Sequence, residues 1–222
     1  MKVSPLVTCL RAALVLAAIW ALGLAWADEP PAKATPLFDG KTFAGWDGDT
    51  KETWRIQDGC IVGGSLTRKI PRNQFLATRA SYKDFVLRLK FKLLGDPTKG
   101  FVNSGVQIRS QRMKDSHEMI GYQADLGDGF WGCIYDESRR NKVLAAADQK
   151  AMNKAINAGA WNKYVIRAEG RRIRTWINGV RGVDYTEPEK EIPQTGRIGL
   201  QIHGGGPVEV QFKDITIEEL SA

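Results

Sequence analysis

"DFVLRLKFKLL", residues 84–94, places Phe85, Leu87, Leu89, Phe91 and Leu93 on one side and Val86, Arg88, Lys90 and Lys92 on the other. A period of two belongs to an extended strand, whose successive side chains point to opposite faces; a helix would space its apolar residues by three and four. The same alternation recurs in "WRIQDGCIVGG", "FLATR", "SGVQIRS", "NKYVIRAE", "RIRTWINGVRGVDY", "GRIGLQIH" and "VEVQFKDITIEEL". Asp58-Gly59 and Asn178-Gly179, each between two such runs, signal tight hairpins. Helical spacing is confined to 148–158, where Met152, Ala155 and Ile156 fall together ahead of Gly159. Many short strands joined by Gly, Asp and Asn turns predict an all-β fold of two packed antiparallel sheets. Its core draws on Phe85, Leu87, Leu89, Phe91, Val106, Ile108, Tyr164, Ile166, Ile198, Leu200, Ile202, Val210 and Phe212, the apolar halves of those runs.

Outside this patterned region, Lys2 and Arg11 precede an apolar run over 12–24, and Ala25-Trp26-Ala27 provides a small-x-small cleavage site. Residues 1–27 read as a secretory signal peptide, too short in its apolar part for a membrane span. The mature chain is therefore expected to be exported, periplasmic or secreted, with no stable membrane insertion. A proline-rich polar leader, 28–36, comes first and a single domain follows over 37–220. Without Lys2 and Arg11 the chain carries 30 basic and 25 acidic residues. The densest basic clusters, Arg139-Arg140-Asn141-Lys142 and Arg171-Arg172-Ile173-Arg174, read as solvated loops and strand faces, and no nucleic-acid partner is expected. Cys60 and Cys133 admit either a disulfide or two buried thiols. His117 and His203 form no zinc motif, and Asp125-Leu126-Gly127-Asp128-Gly129 lacks the ligand spacing of a calcium loop and reads as a turn. Neither a metal nor a cofactor is called for.

Sorting strand residues by face gives the functional signal. Asn103, Gly105, Gln107 and Arg109 share a face, as do Gln123 and Asp125, and Gln201 and His203. Amides, an arginine, an aspartate and a histidine are poor solubilising groups but make fixed, directional hydrogen bonds. On neighbouring strands they form a shelf of donors and acceptors, and Trp131 and Tyr135 offer apolar plates at its edge. A sugar presents hydroxyls at its rim and C–H groups on its faces, and suits such a surface. The expected carbohydrate site comprises His203 and Asp125 as catalytic groups, with Asn103, Arg109, Gln123, Gln201, Trp131 and Tyr135 binding substrate.

"LFDGKTFAGWDGD" (37–49), "NSGVQIRS", "GYQADLGDGFWGCIYDE", "AGAWNKYVIRAEGRRIRTWINGV" and "GRIGLQIHGGGPVEVQFKDITIEEL" resemble, in order, blocks of the 3-keto-disaccharide hydrolase domain family. The resemblance spans about 37–220. It implies a two-sheet antiparallel jelly-roll sandwich like that of concanavalin A-type lectins and glucanases, in an exported protein acting on glycosides, with its site on the concave sheet. Relatives read Glu-x-Gln where this chain has Gln123-Ala124-Asp125, which moves the carboxylate by one inward-facing position. Ordinary glycoside hydrolysis needs two flanking carboxyls, for which Asp125, Asp128, Asp136 and Glu137 are available. A C3 ketone changes the demand to one base that starts elimination, His203 or Asp125, and a donor for the enolate, Arg109 or an amide. A non-catalytic carbohydrate-binding module would use the same shelf without a base.

Overall fold

The computed structural model describes residues 33–221. The expected signal peptide, 1–27, and the start of the leader lie outside the described residues. In chain order the elements are β1 (Thr35–Pro36), β2 (Trp46–Asp47), β3 (Trp54–Gln57), β4 (Cys60–Gly64), β5 (Gln74–Thr78), β6 (Phe85–Gly95), β7 (Asn103–Arg112) and β8 (Met119–Gly127). They continue with β9 (Ile134–Glu137), β10 (Val143–Ala145), α1 (Gln149–Ala155), β11 (Asn162–Glu169), β12 (Arg172–Ile177), β13 (Val180–Thr186), β14 (Arg197–Ile202) and β15 (Val208–Glu219). One sheet runs β13-β12-β11-β6-β15-β4-β3, with β1 also on β15, and the other runs β10-β9-β8-β7-β14-β5-β2. Every pairing is antiparallel, and the fold is the two-sheet sandwich that the alternation predicts.

The opening stretch forms the centre of the first sheet. β6 pairs with β11 through Leu87↔Ile166 and Leu89↔Tyr164, and with β15 through Phe91↔Phe212 and Leu87↔Ile217. The apolar halves of these strands meet Val106, Ile108, Tyr122, Ala124, Leu126, Ile198, Leu200 and Ile202 of the second sheet, and all thirteen expected core residues are buried. Asp58-Gly59 and Asn178-Gly179 take positive φ at both positions, as a two-residue hairpin that follows the strand twist requires.

The helix is shorter than predicted. Its start is fixed by Asp148, which accepts from the N–H groups of Lys150 and Ala151. It stops at Ile156, where the backbone turns extended, because Asn162 captures the next residues. Asn162 Oδ1 accepts from Asn157 N–H, and its Nδ2 donates to the carbonyls of Asn157 and Ala160.

The two cysteines are free and buried. The first basic cluster is less solvated than the sequence suggests, while the second lies on a partly exposed strand face. Arg139 and Arg140 pair with the fully buried Asp136, and Arg140 also grips the buried Glu187. In the second cluster Arg172 pairs with Asp184 and Arg174 with Glu169. Among the described residues no helix is long and apolar enough to cross a membrane.

Candidate functional site

Residues opposite one another across an antiparallel pair share a face of the sheet. The register therefore sets out the outer face of the second sheet in rows. One row is Gln201, Gly105 and Asp125; the next is Gly199, Gln107, Gln123 and Tyr135; a third pairs Gly121 with Glu137. Asn103 lies opposite Gly127 at the near end. His203 follows β14 by one residue and keeps the parity of Gln201. The sheet thus brings Asn103, Gln123, Asp125, Gln201 and Tyr135 together as predicted, and adds Gln107 and Glu137.

This face is concave. Gln201 and Glu137 stand on strands three apart, about 14 Å in a flat sheet. Yet Gln201 Nε2 donates to Glu137 Oε2 at 3.3 Å, so the sheet must curve to let the side chains meet. Glycines form its floor. A Cβ on Gly105 would lie 2.6 Å from Gln123 Cγ and Cδ, and one on Gly199 would lie 2.7 Å from Met119 Sδ. Over Gly105 the long side chains lie flat and join head to tail. Ser110 Oγ donates to Gln107 Oε1 at 2.6 Å, Gln107 Nε2 to Gln123 Oε1 at 2.9 Å, and Gln123 Nε2 to Asp125 Oδ1 at 2.8 Å. The chain orients each amide and ends on the carboxyl.

The two carboxyls of the shelf are both driven toward their neutral forms. Burial dominates at Asp125, which is 3% exposed; the bond from Gln123 opposes it, and Glu137 adds repulsion, leaving the pKa at about 8. At Glu137 burial again leads, followed by repulsion from Glu118, with Gln201 opposing and Asp136 adding, and the pKa rises to about 7. Glu118 arrives on the turn between β7 and β8 beside His117, whose Nδ1 is 3.3 Å from its carboxylate. No lysine or arginine is among the groups that shift Asp125 or Glu137. Asp125 is driven further toward its protonated form than Glu137. Among the described residues no group of three or more His, Cys, Asp and Glu side chains is arranged to hold a metal ion.

Arg109 does not join the shelf. A β-bulge interrupts β7, shifting register against β8 between Ile108 and Gln111 and against β14 between Arg197 and Gly199. Arg109 sits in the bulge with φ 49°. The extra residue breaks the alternation that placed it with Gln107. Its guanidinium is held by Lys83 O, Gly170 O, Gln194 Oε1 and Asp84 Oδ1, all at 2.6–2.8 Å.

Trp131 is also elsewhere. It stacks on the core residue Phe91 with ring centroids 6.1 Å apart, and lines a cavity of about 320 Å³ at the end of the sandwich with Leu93, Val102 and Ile156. The aromatic edge beside His203 is instead Phe101. Its ring meets His203 edge-on at 4.9 Å and Phe130 edge-on at 6.2 Å, and Phe101 remains 45% exposed. His203 Nδ1 faces Gly204 O; when it donates there, Nε2 is left as an acceptor.

Glu137 stood among the four carboxyls available for catalysis but was not placed on the shelf, although Ile134 and Asp136 alternate with Tyr135 and Glu137, which puts the glutamate beside the tyrosine already chosen. Two further contributors had no signal in the sequence. Phe101 and Glu118 come from turns, where no period reveals direction.

The family model described as a 3-keto-alpha-glucoside-1,2-lyase-like domain matches residues 33–218. A candidate glycosyl hydrolase from Parabacteroides distasonis ATCC 8503 superposes with a TM-score of 0.63 at 20% identity, covering 85% of this chain and 94% of that one. The carbohydrate binding module CBM66 from Bacillus subtilis gives 0.60 at 18% identity, covering 79% and 96%. A legume lectin-like domain from Entamoeba histolytica gives 0.52 at 13%, covering 80% and 91%. These similarities share the sandwich fold. No match was found among curated proteins.

Proposed function

We propose that this chain, which belongs to the 3-keto-alpha-glucoside-1,2-lyase-like domain family, cleaves 3-keto-glycosides on its concave shelf, by elimination across C1–C2 and then hydration. The observation that carries this reading is the pair of carboxyls on a shelf of oriented amides, with Asp125 buried and Glu137 partly exposed. The more buried carboxyl, pushed harder toward its neutral form, is assigned as the acid and the other as the base.

In this mechanism the Glu137 carboxylate removes the C2 proton, which the neighbouring ketone acidifies. The C–H electron pair moves into the C2–C3 bond and the ketone π pair onto the C3 oxygen. Protonated Asp125 donates a hydrogen bond to that enolate oxygen, a neutral donor where charge develops. The enolate then collapses to expel the C1 oxygen substituent, which takes up the proton held by Glu137. Water adds to C1 of the resulting enone and a proton returns to C2, giving a 3-keto sugar and an alcohol. His203, at the rim against Phe101, holds a sugar hydroxyl through Nε2, and Phe101 stacks on the ring. The sequence offered His203 or Asp125 as base; Glu137 is the stronger candidate because it lies on the shelf with Asp125 and bonds Gln201.

Turnover of a 3-keto-glucoside, set against the plain glucoside, tests the proposal. The keto-glycoside should be cleaved and the plain one left intact, because its C2 proton is not acidic. The base acts deprotonated, so kcat/KM should rise as pH passes about 7, the Glu137 value; the acid acts protonated, so it should fall as pH passes about 8, the Asp125 value. Binding of both sugars with turnover of neither would reassign the chain as a carbohydrate-binding module.

The same reading places the protein outside the cytoplasm, on the strength of Ala25-Trp26-Ala27 after the apolar run. An intact mass that starts at Asp28 in exported material is the expected result; a mass that retains Met1 would count against it.

A further inference from the structure

We propose that the shelf selects its sugar by charge, so that it takes neutral and amino sugars and rejects uronates and sulfated or phosphorylated sugars. The inference rests on the reading of the shelf as the sugar site, and adds which class of sugar that site admits.

The unpaired carboxyls of the shelf carry the argument. One N–H of each amide is turned toward the shelf's own acceptors: Gln107 Nε2 toward Gln123, Gln123 Nε2 toward Asp125, and Gln201 Nε2 toward Glu137. Two oxygens are left without a partner. Gln201 is fully buried and its Oε1 has no partner, and Glu118 Oε2 is likewise buried without one. Glu137 receives a single long bond, and neither it nor Asp125 is paired with a lysine or arginine among the described residues. A buried acceptor left unpartnered costs free energy until a donor arrives. Sugar hydroxyls supply such donors, and an ammonium supplies three.

An anionic substituent meets the opposite situation. The cation that the sequence seemed to place here, Arg109, is held by four bonds in the bulge and turned away. A carboxylate or sulfate entering the shelf would face Asp125, Glu137 and Glu118, in a setting where burial already disfavours negative charge, while Arg197 at the far end of the same face is engaged by Asp47. Discrimination of this kind comes from repulsion and unmet desolvation and not from a contact made to the preferred ligand.

The test is a calorimetric series on three methyl glucosides that differ only at C6, carrying a hydroxymethyl, an aminomethyl or a carboxylate group, at mildly alkaline pH. The expected order is aminomethyl at least as tight as hydroxymethyl, with the carboxylate weaker by about tenfold or more. Added salt and the Glu118→Gln variant should each narrow that gap, since screening and removal of a charge both act on repulsion. A carboxylate that binds as well as the hydroxymethyl sugar overturns the inference while leaving the sugar site in place. A gap unmoved by salt and by Glu118→Gln also overturns it, because the exclusion is then steric. Failure of all three sugars to bind removes the sugar reading and this inference with it.

Discussion

Replacing Glu137 with glutamine is expected to lower kcat on a 3-keto-glucoside by ~10²–10⁴-fold, the range typical for loss of a general base. Glutamine keeps the shape of the side chain and its bond to Gln201, so product should still bind. The substitution should not unfold the protein. The folded state raises the Glu137 pKa to about 7, so it binds a proton that the unfolded chain has already released. Stability therefore falls as pH rises from the ordinary carboxylate range through about 7, and an uncharged isostere removes that loss. A melting temperature at or above wild type in mildly alkaline buffer, with turnover collapsed, is the combined result expected. His203→Ala provides the contrast. If His203 only holds a hydroxyl, its loss costs ~0.5–1.5 kcal/mol, about a tenfold weakening at most. A dead His203→Ala beside an active Glu137→Gln would exchange the two roles.

The sandwich was legible because its signal is periodic. Each core residue predicted from 84–94, 103–109, 164–166, 198–202 and 210–212 belongs to a run in which alternation continues without a break on the side that matters. Four shelf residues, Asn103, Gln123, Asp125 and Gln201, were found by the same rule, since strand parity alone fixes their face. The rule failed where the strand ceased to be regular. Extending the parity of Gln107 by two residues puts Arg109 on the shelf, but the bulge after Ile108 inserts a residue and turns it away. A bulge exists in the pairing of two strands, and "SGVQIRS" by itself carries no mark of it. Trp131 failed for a related reason. It lies in the Gly-rich turn between β8 and β9, where backbone direction changes at each residue, and its indole follows the larger apolar contact with Phe91. Side chains on regular strand could be placed from sequence; those at the bulge and on turns could not.

Arg109→Ala is expected to cost ~3–5 kcal/mol in stability and to leave the affinity of the shelf for sugar close to wild type. Arg109 is 2% exposed, and its guanidinium bridges three segments that are far apart in sequence. It reaches Lys83 and Asp84 ahead of β6, Gly170 in the turn between β11 and β12, and Gln194 ahead of β14. Alanine would leave two carbonyls and the Gln194 amide oxygen without a donor. It would also deprive Asp84 of its cation, leaving only the Gly170 N–H on Oδ1. The damage would spread, because Gln194 Nε2 also donates to Tyr122 Oη, and Tyr122 Oη in turn donates to the buried Glu187 that Arg140 holds. Lysine should rescue little, since a single ammonium cannot span the four acceptors that a planar fork of N–H donors meets in fixed directions. A surface pair sets the scale: Arg88→Ala, which breaks a partly exposed contact with Glu218, should cost no more than ~1 kcal/mol. Urea midpoints measured on the three variants separate these cases. A shelf role for Arg109 would produce the reverse pattern, with nearly normal stability and lost sugar binding, and that outcome would return the arginine to the site from which the bulge removes it.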